Sequence, residues 1–217
     1  MSRLPRQPRR DEVPAEDHAD YDAVIDRLRK MLGADAGSPD DFFSAGEYYG
    51  ALLNSPPMCA TLVRLGTLVR TAGERSGTYS HADREFVDQV LSSFLDTTVV
   101  QEFHLPDALA AGVRIEAIEA LRRGDDDALT DDEKLLARYI REVVTGTVTD
   151  DDWNAMLARL GMRGLVEYTV FVAFLQLIMR LMQALQTTAP SQAQVDEQIA
   201  QLKADQSLVP DIGDHLH

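Results

Sequence analysis

Apolar residues recur at helical spacing along almost the whole chain. In the segment from Asp20, Val24, Ile25, Leu28, Met31 and Leu32 share one face, and Gly33 ends it. Ser38-Pro39 has the cap-then-proline order that opens a helix. After Pro56-Pro57, Met58, Leu62, Leu65, Leu68 and Val69 form the next stripe. Ser80-His81-Ala82-Asp83 predicts another start in a capping-box arrangement, and Gly112 closes the helix that carries His104. Thr130 and Thr149 each precede three acids, which the positive end of a helix dipole favours. The run from about Leu165 to Leu185 is apolar nearly all round, so it should be buried on most sides. Glu167, Gln176 and Arg180 interrupt it, which makes it a poor membrane span. It suits a central helix or a subunit contact, so we expect a homo-oligomer (dimer, trimer or hexamer), with a monomer that wraps this helix as the alternative. No stretch alternates apolar and polar residues between hairpin turns. The fold class expected is all-α, a compact bundle of about eight helices joined by short loops.

The two ends read differently. Residues 1–16 are rich in proline and arginine with little to bury, which predicts a flexible tail. Residues 17–188 form the expected all-α domain. In 189–217, Pro190 follows the last strong helix, and Val195, Ile199 and Leu202 leave only a thin apolar stripe on a polar helix and tail. The terminal Gly-Asp-His-Leu-His run looks like a mobile end and hardly like a metal site.

Composition narrows the chemistry. With Lys+Arg 21 against Asp+Glu 36 and a net charge of -15, the chain lacks the basic surface that nucleic acid or an anionic membrane requires. No leader pattern stands at the start, so a cytoplasmic protein is expected. The single cysteine, Cys59, excludes an internal disulfide framework, a Cys-x-x-Cys pair and a thiolate metal cluster. Asp125-Asp126-Asp127 and Asp150-Asp151-Asp152 lack the alternating ligands and central glycine of a calcium loop. No phosphate-binding glycine loop, His-Glu-x-x-His or nucleophile elbow is present. No metal and no cofactor are expected.

The chemistry-bearing residues concentrate between Ser80 and Gly112. Glu85 lies 19 positions before His104, on the preceding helix of an expected antiparallel pair. Thr97, Val100 and His104, at i, i+3 and i+7, look the same way. If that face is the inner one, His104 is an imidazole in an apolar pocket and Glu85 its natural partner. Burial and a nearby carboxylate act on a histidine in opposite directions, and their balance suits a general acid or base. Thr97, Val100 and Gln101 are then candidates to line a substrate. Arg180, the only cation of the closing apolar run, is a candidate to hold its carboxylate or carbonyl oxygen. The alternatives are structural: His104 as a backbone cap, and Arg180 paired with Glu167 or with an acid of another subunit. His81 reads as a neighbour of a helix cap, and Trp153 as a packing anchor.

Arg84-Glu85, the 19-residue gap, then His104 followed by Ala108, Ala110, Ala111 and Gly112-Val113 resembles the carboxymuconolactone decarboxylase and alkylhydroperoxidase D superfamily. The resemblance continues through Ile115–Leu121, Asp131–Tyr139, the Gly146–Trp153 stretch and Leu165–Leu185, about residues 40 to 186. It implies an alkylhydroperoxidase D-like helical fold. In the peroxidase branch, a Cys-x-x-Cys-x-x-x-His run pairs with a relay glutamate. Glu85 and His104 match those two positions, but Thr97 and Val100 stand where the cysteines would be. Peroxide reduction by that route is therefore excluded, and Cys59 lies on another helix. In the decarboxylase branch, a glutamate before the histidine would also fall on Val100. Glu102 is close in sequence but points to another side of the helix. What the resemblance leaves is cofactor-free acid–base chemistry by His104 and Glu85 on a small carboxylic or lactone compound: decarboxylation, ring opening or isomerisation. The alternative is a non-catalytic oligomeric member that binds a ligand or partner. A thiol peroxidase working through Cys59 comes last.

Overall fold

The structure, a computed structural model, describes residues 3, 6–31, 33 and 42–210. These form nine α-helices and four 3-10 turns, with no strand among the described residues. The helices are α1 (His18–Met31), α2 (Gly46–Leu52), α3 (Pro56–Ser76), α4 (His81–Leu95), α5 (Thr98–Ala110), α6 (Ile115–Arg123), α7 (Asp131–Thr145), α8 (Asp150–Leu185) and α9 (Gln192–Ala204). The all-α expectation holds, with one helix more than counted from the sequence. The chain divides into two compact units, Met1–Leu68 with Leu181–Thr188, and Val69–Arg180 with Ala189–His217. The divisions fall inside α3, inside α8 and between Thr188 and Ala189; the sequence led to boundaries at 16 and 188.

In the first unit, Val24, Ile25 and Leu28 of α1 are buried with Tyr21, Leu53, Cys59 and Ala60. Met31, expected on that face, is exposed, and Leu32 and Ser38-Pro39 lie outside the described residues. The stretch expected as a flexible tail is packed from Arg6 onward. Its anchor is Gln7, whose amide nitrogen donates to Tyr21 Oη at 3.1 Å and to the Phe43 carbonyl at 2.9 Å. The Gln7 amide oxygen accepts from the Ala45 amide at 2.7 Å, and Val13 enters the core. One amide with three partners offsets an ordering entropy that composition alone made look prohibitive. In the part of α3 that belongs to this unit, the expected stripe is turned outward: Met58, Leu65 and Leu68 are exposed, while the small Cys59 and Ala60 are buried.

The second unit holds α4 to α7, most of α8, and α9. The predicted caps are made: Ser80 and Thr130 each exchange hydrogen bonds with the residue three positions on, Asp83 and Glu133. Thr149 Oγ1 accepts from the Asp152 amide at 3.2 Å. α5 contains Pro106, which cannot donate to the Glu102 carbonyl one turn back. Gln198 Nε2 of α9 donates to that carbonyl at 3.1 Å, so the helix carrying His104 continues through the proline. α8 is broken at Gly161, whose φ of 66° only glycine adopts readily. After the break, Leu165, Tyr168, Phe171, Val172, Leu175 and Met179 are buried, while Met162, Val166, Val170 and Leu177 stay exposed. The helix is thus two-faced rather than enclosed on most sides. By length and hydropathy alone α8 is also apolar enough to cross a membrane, although its inward face is part of this unit's core. Val195, Ile199 and Leu202 of α9 are all buried, so the thin stripe is enough to dock that helix.

Close packing behind the α3–α4 turn gives a first test. A Cβ on Gly73 would meet the Tyr79 ring at 2.3 Å, and Tyr79 itself stands edge-on to Tyr168 with ring centroids 5.2 Å apart. Alanine gains up to about 1 kcal/mol in helix propensity over glycine, but a rigid ring held against a second ring cannot yield. Gly73→Ala is expected to destabilise the protein by a net of about 1–3 kcal/mol, read as a lower urea midpoint at unchanged slope.

Candidate functional site: a buried carboxylate–imidazole–guanidinium cluster

α4 carries an unusual inner stripe. Glu85, Asp88, Gln89 and Ser92, at i, i+3, i+4 and i+7, are all buried. Glu85 and Asp88 are 1% and 0% exposed, and charges that deep need partners. α5, packed against α4, supplies the first: His104 Nδ1 lies 3.1 Å from Glu85 Oε2. α3 supplies the second. Arg70 Nη2 donates to Asp88 Oδ1 at 2.9 Å and meets His104 Nε2 at 3.1 Å, with Nη1 3.6 Å from Glu85 Oε1. The guanidinium lies 5.5 Å from the centroid of Phe171 on α8, in cation–π range. Because a guanidinium only donates, Nε2 of His104 must accept and Nδ1 must carry the proton. In that tautomer the Nδ1 proton is directed at Glu85 and the Nε2 lone pair is covered by Arg70.

A second tier holds Glu85 from the other side. Arg84 Nε donates to Glu85 Oε1 at 3.1 Å, while Arg84 Nη1 donates to the Arg70 carbonyl at 2.9 Å and pairs with Glu74 at 3.3 Å. His81 Nε2 stands 3.4 Å from the same Glu85 oxygen. Burial pushes the Glu85 carboxyl up, but the contacts from His104 and His81 and the Arg70 charge outweigh it and hold it well below the ordinary carboxylate range. A carboxyl depressed on folding contributes stability above its unfolded pKa of about 4.3, and loses it as pH falls toward the folded value. Wild type should therefore weaken from about pH 4.5 downward, by up to about 1.4 kcal/mol per pH unit for this one proton. Glu85→Gln removes that contribution. Urea midpoints at several pH values between 6 and 3 should show a flatter dependence for the variant, and parallel curves would contradict this origin of the acid sensitivity.

One oxygen or nitrogen from each of Glu85, Asp88 and His104 lies within 4.8 Å of the others, a donor set that suits a divalent cation. The Arg70 guanidinium, 2.9 to 3.6 Å from three such atoms, stands where that cation would sit. The cluster thus carries its own positive charge, although Asp88 Oδ2 is buried with no hydrogen-bond partner.

The other candidates go elsewhere. Val100 and Thr97 are buried, with Thr97 at the N-cap of α5. Gln101 is buried between α4 and α6, donating to Ser93 Oγ at 3.2 Å and accepting from Arg122, which also pairs with Asp196 of α9. Arg180 is exposed. Glu167 accepts from Ser76 Oγ at 2.7 Å and pairs with Arg163, a local role near the end of α3. Cys59 lies in the core of the first unit, and burial pushes its thiol up to about 12, the reverse of what a peroxidatic cysteine needs. Sequence reasoning passed over Arg70 and Asp88. The available signal was Asp88 itself, a second acid one turn from Glu85 on a buried face, which required a cation. Two surface clefts of about 880 and 330 Å³, lined around Arg122 and Lys203 and around Lys134 and Arg141, include neither His104 nor Glu85.

No protein-family model, no curated protein and no solved structure matches this chain.

Proposed function

We propose that this chain is an alkylhydroperoxidase D-like helical protein of the carboxymuconolactone decarboxylase kind. In this reading it performs cofactor-free acid–base chemistry on a small carboxylic or lactone substrate. The observation that carries the proposal is the 3.1 Å contact between His104 Nδ1 and the buried Glu85 carboxylate. A carboxylate on Nδ1 fixes the ring, leaves Nε2 beneath Arg70 as the basic nitrogen and stabilises the imidazolium that forms when Nε2 takes a proton. Decarboxylation, ring opening and isomerisation next to a carbonyl all require a proton to be moved to or from carbon, and a fixed imidazole serves each. Placement in the cytoplasm and assembly as a homo-oligomer belong to the same reading. Support for assembly comes from the exposed apolar side chains of α8, Met162, Val166, Val170 and Leu177, of the kind that mark contact surfaces. The test is a screen of small carboxylates and lactones for turnover by the purified chain, repeated with His104→Ala and Glu85→Gln. Full activity in both variants would remove the proposal.

A second reading rests on Arg70. With Nε2 of His104 covered by a guanidinium at 3.1 Å, the same cluster works as a polar clamp joining α3, α4 and α5 in a non-catalytic, ligand-binding oligomer. That reading predicts no turnover in the screen and no effect of His104→Ala beyond stability.

A further inference from the structure

A guanidinium and an imidazole meet at Asp88. Arg70 Nη2 is 2.9 Å from Asp88 Oδ1 and 3.1 Å from His104 Nε2, and that Nε2 is itself 3.9 Å from the same Asp88 oxygen. Asp88 is fully buried, so it cannot lose its positive neighbour without another arriving. The Arg70 side chain is 27% exposed, against 15% for His104 and 0% for Asp88, which makes Arg70 the member of the three nearest to solvent. Guanidinium pairs strongly and bidentately with carboxylates, so Arg70 is the member of the cluster that an incoming carboxylate meets first.

We infer that Arg70 is the receptor for the substrate's carboxylate, and that its movement onto that carboxylate is balanced by one proton taken up at His104 Nε2. This rests on the reading of the cluster as a site for small carboxylic compounds. When Arg70 turns toward the incoming anion, it leaves Asp88 and uncovers the imidazole lone pair. Protonation of Nε2 then places an imidazolium between Glu85 on Nδ1 and Asp88 on Nε2, so the buried cluster keeps its charge. In turnover the proton comes from the substrate carbon: the C–H bond breaks, the N–H bond forms, and the electron pair spreads into an enolate whose oxygens face Arg70. With a ligand that has no such proton to give, the proton comes from solvent. Around His104 the charged and titratable groups are Arg70 and Glu74 on α3, and His81, Arg84, Glu85 and Asp88 on α4; Phe171 on α8 is neutral.

The test uses the full-length protein at about pH 8, where a free imidazole is neutral. Oxalate, pivalate and benzoate, which have no hydrogen on the carbon next to the carboxylate, are titrated separately by calorimetry in buffers of differing ionisation enthalpy, with malonamide as the uncharged control. The expected result is binding of at least one carboxylate, no binding of malonamide, and uptake of close to one proton per carboxylate bound. His104→Gln should bind without proton uptake. Arg70→Met with Asp88→Asn removes both members of the charge pair and so guards against simple misfolding. With its circular dichroism preserved, it should bind at least about thirtyfold more weakly, the scale for removing one partner of a hydrogen-bonded charge pair. No carboxylate binding, binding without proton uptake, or undiminished binding by the Arg70→Met, Asp88→Asn protein would overturn the inference. Turnover that depends on His104 in the screen, together with any of those results, would leave the enzymatic reading standing without this role for Arg70. Absence of turnover with proton-linked binding intact would do the opposite.

Discussion

Arg70→Ala is expected to destabilise the protein by about 3–5 kcal/mol, the range for removing one member of a buried ion pair. The magnitude comes from the charge stranded in the interior more than from the hydrogen bond that disappears. Asp88 is fully buried, its Oδ2 has no hydrogen-bond partner, and its Oδ1 depends on Arg70 at 2.9 Å. Truncation at Arg70 therefore leaves a carboxylate in a low-dielectric interior, where it must be neutralised or drag in water. Removal of the stacking on Phe171 and of the stem's packing adds a smaller amount. Most of the stability should return when Asp88→Asn is added, because the pair of changes removes the stranded charge. Urea unfolding of the two single variants and the double forms the cycle. A double variant as unstable as the sum of the singles would show that the pair is not coupled, and that Arg70 acts through packing alone. Asp88→Asn alone should cost less than Arg70→Ala, since Arg70 keeps Glu85 at 3.6 Å and the face of Phe171.

The contrast between Glu85 and Arg70 shows which parts of this molecule are legible in its sequence. Helix starts at Ser80, Thr130 and Thr149 depend on a side chain and a backbone amide three positions away, so they are local and readable. Helical spacing likewise foretold α1 and α9. The Glu85 and His104 meeting was also within reach, because both helices are adjacent in the chain and each residue sits at a position of known face. Arg70 reaches the cluster from α3, across 34 positions from His104, and nothing in a periodic pattern reports that a cation on a largely exposed helix turns inward. The same limit explains the outward-facing Met58, Leu65 and Leu68. A stripe of large apolar residues identifies a face, but here the small Cys59 and Ala60 took the inner one. Gln7 was unreadable for a third reason. Its three partners, Tyr21, Phe43 and Ala45, are far from it in sequence, and composition counts a glutamine as polar and flexible whether or not it is satisfied.

His104→Ala is expected to lower kcat/KM by about 10²- to 10⁴-fold on any substrate the screen yields, the usual contribution of a positioned acid–base group. The drop should fall on kcat more than on KM, because the imidazole acts on the proton in flight rather than on the bound carboxylate. Glu85→Gln should lose less. The Gln amide oxygen can still accept from Nδ1–H and keep Nε2 as the base, but it carries no charge to stabilise the imidazolium once the proton arrives. The ordering His104→Ala below Glu85→Gln below wild type is therefore a statement about mechanism and not only about importance. A histidine that merely clamps α4 to α5 would give a different signature: a lower urea midpoint, with activity falling only as the folded fraction falls. Added imidazole separates the two cases. It can restore a proton acceptor to the space left by His104→Ala, and so recover part of kcat without changing stability, whereas it cannot rebuild a helix clamp. Recovery of activity with an unchanged midpoint assigns the base to His104. A variant as active as wild type, or one whose deficit tracks its midpoint and ignores imidazole, assigns the whole cluster to holding the helices together.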